Sequence, residues 1–262
     1  MPSFSRRTAV LTACAVMIVT LLAVAAFAPL PVSIVLPGPT ANVLGANKGT
    51  EVITVTGAPV RRTTGQLRMV TISATAPNAS VHFIDVWRAW FRKSEAAMPR
   101  DSVYPSGGSV KEIEKVNQKE MTQSQDAATT AALKHLGLSP SQVEVRLQLA
   151  DVGGPSAGLL FTLGIIDKID GDGHGGDLTG GRVIAGTGTI DGSGKVGAVG
   201  GVPLKEQAAR RDGATVFLVP RDECPDAKAE LPSGLKLIPV RTLDDTLTAL
   251  SALNAGRRTP SC

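Results

Sequence analysis

The sequence predicts an α+β fold behind an N-terminal membrane-spanning helix, and three observations carry that prediction. First, the apolar stretch from Thr8 to Leu30 follows Arg6 and Arg7 and holds no charged residue. It matches the ~20 residues that a helix needs to cross a bilayer. Second, segments alternating with period two are interleaved with segments of helical period in the rest of the chain. Third, 28 Gly and 17 Pro stand beside only 3% aromatic residues in a 262-residue chain that is 43% hydrophobic. That composition describes a turn-rich fold with a core of Val, Leu, Ile and Ala rather than a helix bundle. Three regions follow: 1–30, a cytoplasmic tip and anchor; 31–140, an extracytoplasmic N-terminal region of small α/β character; and 141–262, a C-terminal domain of mixed sheets and packed helices.

The arginines before the apolar stretch, with no Lys or Arg again until Lys48, predict a cytoplasmic N-terminus and an extracytoplasmic remainder. Three readings of this segment stay open. An uncleaved anchor fits its length. A cleaved signal has Ala26-Phe27-Ala28 as its cut site, against a Pro29 that would follow directly. A lipoprotein box at 11–14 has too short an apolar stretch before Cys14. All three lead to an oxidising compartment. Cys14 lies in the apolar stretch, so Cys224 and Cys262 are the expected disulfide, pinning the C-terminal tail to its domain. The net charge of +4 and pI of 9.1 come from scattered residues. With no basic block and no aromatic-basic motif, nucleic-acid binding is not expected.

Residues 31–45 read as an extended, Pro-rich exit from the membrane, and 50–57 and 65–75 as strands. In 80–93, Phe83, Val86, Trp87, Trp90 and Phe91 fall at helical spacing. Such a stripe predicts a core face, with a membrane-surface helix as the alternative. Two helices are expected at 109–121 and 124–137, the second with Ser124 as N-cap and Gly137 past its end. Residues 143–149 alternate as a half-buried strand, and a helix follows from about Ser156 to Lys168. Residues 182–190 and 195–201 flank Asp191-Gly192-Ser193-Gly194, a hairpin turn signal. A helix with Pro203 in its first turn ends at Gly213. Two short strands, 215–220 and 235–240, and an amphipathic helix from Thr242 complete the pattern.

The chemistry centres on Gly153-Gly154-Pro155-Ser156-Ala157-Gly158, placed where a strand gives way to a helix. A lone serine there is the position of a nucleophile. A His-based triad requires a histidine after the serine. His82 and His135 precede it, and His174 lies at the far end of the very next helix. A neutral lysine is the other base that activates serine. It must be shifted down from about 10.4 to roughly 8, which disfavours its charged form by about 3 kcal/mol. Lys168, Lys195, Lys205, Lys228 and Lys236 follow the serine. Lys205 stands out. It sits in the first turn of a helix leaving Gly200-Gly201, where the helix N-terminus opposes an ammonium and glycines permit close approach. The loop Asp170-Gly171-Asp172-Gly173-His174-Gly175-Gly176-Asp177 falls short of an EF-hand pattern, having His174 and Gly181 where acidic ligands belong, and reads as a polar loop. No metal and no cofactor are expected.

Residues 149–167 together with 178–220 resemble the proteolytic domain of Lon-type peptidases. The serine motif, Gly186-Thr187-Gly188-Thr189-Ile190, the hairpin, the double glycine and the lysine four residues beyond recur in order. The resemblance spans about 143–253. It implies a Ser-Lys dyad peptidase with Ser156 as nucleophile and Lys205 as general base, and Asp151, Gly154, Pro155 and Thr187 in support. The anchor, Pro37-Gly38-Pro39-Thr40, residues 101–109 and residues 121–137 further resemble membrane-anchored, Lon-like secreted peptidases of bacteria. Those proteins carry a PDZ domain where this chain has only residues 138–142. The resemblance implies protein or peptide substrates, contact with the lipid bilayer through residues 8–30 and, since such domains often form rings, a candidate homo-oligomer. No G-x-x-x-x-G-K-[ST] loop occurs in the sequence, so hydrolysis without ATP is expected. The alternative is a catalytically inert, peptidase-like binding or scaffolding module at the membrane.

Overall fold

The computed structural model describes residues 6–262 except 106, 108 and 150–153. In chain order the first elements are α1 (Arg6–Phe27), β1 (Val32–Asn42), β2 (Ala46–Asn47), β3 (Thr50–Glu51), β4 (Ile53–Thr56), β5 (Gln66–Ala74), α2 (Phe83–Trp90), β6 (Ala96–Pro99), α3 (Arg100–Val103) and α4 (Val110–His135). There follow β7 (Glu144–Leu147), α5 (Gly158–Ile169), β8 (Val183–Gly186), β9 (Thr189–Ile190), β10 (Val196–Gly197), α6 (Val202–Arg211), β11 (Val216–Pro220), α7 (Cys224–Ala229), β12 (Lys236–Val240) and α8 (Leu243–Asn254). The architecture is α+β.

Contacts divide the chain into two compact units, 1–35 with 74–110, and 36–73 with 111–262. In the first, α1 is one helix long and apolar enough to span a membrane, and none of its residues is buried. Val32–Val35 of β1 pair antiparallel with β6. Val81, Val86 and Ala89 pack on Val32 and Ile34 as a small core. The start of α2 is set by Asp85, whose carboxylate accepts the His82 backbone N–H at 2.9 Å.

A core role for the aromatic stripe of α2 is not what the structure has. Phe83, Trp87, Trp90 and Phe91 are exposed, and Ala89 is the residue of α2 that is buried. The helix has two apolar faces, and periodicity marks both without saying which one meets the sheet.

In the second unit the strand order runs β12-β11-β8-β5-β1. The pairs β12–β11, β11–β8 and β8–β5 are parallel. All of β11 is buried, as expected for a strand with neighbours on both sides and helices over its faces. The strand β4 pairs antiparallel with β7. The core gathers Leu159, Leu160, Phe161, Leu163, Ile165 and Ile166 of α5 with aliphatic residues of α4, the sheet and α8. The expected boundary at 140 falls inside this unit.

Two predicted helices at 109–121 and 124–137 are one, α4, since no helix breaker separates Met121 from Ser124. Ser124 therefore caps nothing. It is buried in mid-helix, and its hydroxyl donates to the Pro155 carbonyl at 2.9 Å. A Cβ on Gly158 would lie 2.9 Å from the Ser124 Oγ, so this close approach needs glycine. The predicted strand over 182–190 is interrupted at Thr187-Gly188, where Gly188 takes a φ of 150°. Asp191 closes the hairpin between β9 and β10 by accepting the Ser193 and Lys195 backbone N–H groups at 2.8 and 3.0 Å. Cys224 and Cys262 are joined by a disulfide across a separation of 38 residues.

Candidate active site

Ser156 lies in a single 3-10 turn, Pro155–Ala157, between Gly154 and the start of α5. Gly154 has a φ of 91°, a conformation that costs other residues energy and glycine none. Its N–H donates to the Asn117 carbonyl of α4 at 3.2 Å. The turn is thus held from one side by α4, through Asn117 and Ser124. From the other side it is held by the break after β8. The Gly188 N–H donates to the Ser156 carbonyl at 3.0 Å, and the Leu159 N–H donates to the Gly188 carbonyl at 3.1 Å.

That break lies at the C-terminal end of β8, within the parallel part of the sheet. Helices that follow such strands place their N-termini at this edge, and functional residues collect there. After the β9–β10 hairpin the chain turns through Gly201, left-handed with a φ of 69°, into α6. The Lys205 N–H makes the first helical bond to the Gly201 carbonyl at 3.1 Å. Lys205 is 3% exposed. Its Nζ donates to the Thr187 hydroxyl at 3.2 Å. The Thr187 hydroxyl in turn reaches the Ser156 carbonyl at 3.4 Å. Lys205, Thr187 and Ser156 therefore form one cluster, although 49 positions separate the first from the last in sequence.

Burial lowers Lys205 from 10.5 to about 8, and the Glu223 carboxylate partly opposes that shift. Desolvation is the main physical cause. The other lysines after the serine differ. Lys195, Lys228 and Lys236 are exposed. Lys168 is buried, but its Nζ donates to a Glu51 carboxylate oxygen at 2.7 Å and to the Ile53 carbonyl at 2.9 Å. Lys168 is thus engaged in an ion pair. Lys205 is the buried lysine of this set that donates to a neutral hydroxyl.

Asp151 and Gly153 lie outside the described residues. His174 follows the end of α5, a helix of 12 residues and so about 18 Å long, which separates it from Ser156. In the loop 170–177, Arg61 already supplies a cation. Its guanidinium donates to the Asp167 and Gly175 carbonyls at 3.2 and 2.9 Å and lies 3.5 Å from an Asp177 carboxylate oxygen. An open groove of about 310 Å³ runs beside the serine turn, lined by Glu120, Gln123, Ser124, Pro155, Thr189 and Ile190.

Sequence reasoning passes over two buried carboxylates, one bracing the entry to α6 and one on it. Glu223 accepts the Gly200 N–H at 2.6 Å and so braces the turn into α6. Glu206, next to Lys205, is buried and its oxygens have no hydrogen-bond partner among the described residues. The sequence signal was available: position 206 falls on the inward side of a helix whose Lys205 must also be inward. Burial pushes the Glu206 carboxyl up to about 8. Between the ordinary carboxyl range and about pH 8, the unfolded chain gives up a proton that folded Glu206 keeps. The folded state therefore loses stability as pH rises through that window. Glu206→Gln does not titrate. Its urea midpoint is expected to climb relative to the parent protein from about pH 5 to about pH 8, then to hold a constant lead. A lead that does not vary with pH would mean that Glu206 ionises normally.

Residues 141–253 match the family model of the Lon protease (S16) C-terminal proteolytic domain. The chain is also 31% identical over 140 residues to a Lon protease of Azospirillum brasilense, covering 49% of this chain and 16% of that one. It is 27% identical over 138 residues to Lon protease 2 of Bacillus subtilis (strain 168), covering 50% of this chain and 23% of that one. The chain thus spans less than a quarter of the length of these curated relatives. Residues 141–253 are thus similar to the proteolytic domain of Lon proteases.

Proposed function

We propose that the protein is a serine endopeptidase of the cell envelope that hydrolyses peptide bonds with a Ser156–Lys205 dyad and without ATP. One observation carries this reading. Lys205 is buried, depressed to about 8 and bonded to Thr187, which also bonds the backbone of the serine turn. A neutral lysine at that place has the chemistry of a general base.

The steps follow from the residues. Lys205 Nζ, neutral, takes the proton of the Ser156 hydroxyl as Oγ attacks the peptide carbonyl. The Ser156 backbone N–H, within the turn, stabilises the oxyanion. Lys205 then delivers its proton to the leaving amine, and the acyl-enzyme is resolved by water that Lys205 activates in the same way. Thr187 holds Nζ oriented between these transfers. An extended substrate runs along the groove beside Pro155. With α1 as an anchor and the proteolytic domain outside the cytoplasm, no ATP pool is at hand. The substrates are then chains already unfolded or extended.

Full-length protein exposed to a serine-reactive phosphonate tests the dyad without a known substrate. Intact mass should report one adduct on the parent protein, none on Ser156→Ala, and a much slower one on Lys205→Ala. An adduct on Ser156→Ala, or none on the parent, would remove the assignment.

A further inference from the structure

The first unit presents an apolar surface that the peptidase chemistry does not use. On α2, Phe83, Ile84, Trp87, Trp90 and Phe91 are all exposed, Trp87 by 53% and Trp90 by 83%. At about 100° per residue these five positions cover one stripe of about 120°. The opposite side is already spoken for, since Val86 and Ala89 pack on Val32, Ile34 and Val81. The stripe is also ordered within itself. The Trp87 ring lies 6.1 Å from Phe83 and 5.2 Å, edge to face, from Phe91.

What covers it follows from its neighbour. The end of α1 is three residues before Leu30, and Leu30 forms an antiparallel bridge with Val81, its N–H donating to the Val81 carbonyl at 2.7 Å. Phe83 opens α2 two residues later. Helices α1 and α2 are themselves in contact. The backbone therefore ties the aromatic helix to the outer end of the apolar span. Indole and phenyl rings at that level sit in the headgroup boundary, where one side is apolar and the other wet. Arg88, at the border of the stripe, is placed to reach lipid phosphate while its stem lies on apolar surface.

We infer that α2 is an interfacial helix whose Phe83, Ile84, Trp87, Trp90 and Phe91 enter the outer face of the bilayer beside α1, to a depth of about 5–10 Å. The partner is the lipid surface itself, and the helix sets the height of the first unit on the membrane. This inference rests on the anchor reading of α1.

The chain carries its own reporters. Trp87 and Trp90 are its two tryptophans, and Cys14, in α1, is its free thiol. Full-length protein is reconstituted in vesicles of phosphatidylcholine and phosphatidylglycerol containing nitroxide-labelled lipid, with bimane on Cys14. Both bimane and tryptophan emission should be quenched by the lipid nitroxide. Tryptophan emission should be blue-shifted and quenched more by nitroxides near the headgroup than by those at the chain end. Trp87→Phe leaves Trp90 as sole reporter and should give the same result. Quenched bimane with tryptophan that only aqueous iodide quenches would overturn the interfacial helix and leave the anchor standing. Tryptophan shielded from both quenchers, with shielding lost on dilution into excess lipid, would assign the stripe to a second copy and overturn the inference. Unquenched bimane would sink the anchor and the inference together.

Discussion

Lys205→Met is expected to lower peptide hydrolysis by about 10³-fold, within the range that a positioned general base contributes, while leaving the protein folded. Methionine keeps the length and apolar stem of the lysine and removes the amine. The stability side distinguishes loss of a base from loss of the fold. A lysine held at about 8 against an ordinary 10.5 costs the folded state about 3 kcal/mol at neutral pH, since the unfolded chain holds its proton more tightly. The sign is therefore opposite to that of a favourable ion pair. The parent protein gains stability as pH rises from about 8 to about 10.5, because over that window the unfolded chain still binds the proton that folded Lys205 has lost. Lys205→Met has no such dependence. It should be at least as stable as the parent at pH 7, with the difference shrinking as pH climbs. The parent's activity should rise with pH and level off above about 8, when Lys205 is neutral. Urea midpoints and hydrolysis of a quenched peptide across pH read both. Retained hydrolysis in Lys205→Met would overturn the dyad. A large loss of stability at neutral pH would indicate that Lys205 is paired rather than depressed.

Removing the disulfide should produce the largest effect on stability outside the core. Cys224 and Cys262 close a loop of 38 residues, for which loop-closure entropy in the unfolded chain corresponds to about 4 kcal/mol. The bridge also seats the C-terminal residue on folded structure. Cys262 packs against the cluster of Ala227, Leu235 and Leu237, and its carbonyl accepts a bond from Lys228 Nζ at 3.3 Å. Cys262→Ser should lower the unfolding free energy by about 4 kcal/mol at most, since a tail detached from the native state offsets part of the entropy term. Dithiothreitol should lower the parent to the same midpoint and leave Cys262→Ser unchanged. A parent protein indifferent to reductant would mean that the two thiols are not joined. Glu223, which braces Gly200, immediately precedes Cys224. Reduction is therefore expected to slow hydrolysis somewhat, far less than Lys205→Met does.

The legible parts of this protein are the local ones. The serine turn announces itself because Gly154 and Pro155 have backbone demands that few other residues meet. The hairpin at 191–194 is legible for the same reason, through the side chain of Asp191. The alternation in 143–149 and the apolar runs of β11 and β12 identify strands. In each case the signal and the structure it specifies lie within a few residues of one another. Ser124 resembles a cap, and a cap is a local signal, so the sequence predicts two helices where α4 is one. What keeps Ser124 inside the helix is a distant partner, the Pro155 carbonyl.

Residue order and spacing by themselves determined the apolar span, the α+β alternation, the turn that holds Ser156, and the helix start that carries Lys205. Tertiary structure alone decided which lysine is desolvated with a hydroxyl rather than a carboxylate as its side-chain hydrogen-bond partner, that Thr187 stands at a strand break to link Lys205 with the serine turn, that Glu206 is buried, and that the aromatic stripe of α2 faces outward. The physical reason is common to all four. Burial, and with it proton affinity, depends on what packs over a residue, and that cover comes from chain segments tens of residues away. A sequence pattern marks a face as apolar or a lysine as near a glycine. Only the assembled sheet and its helices fix what lies against it.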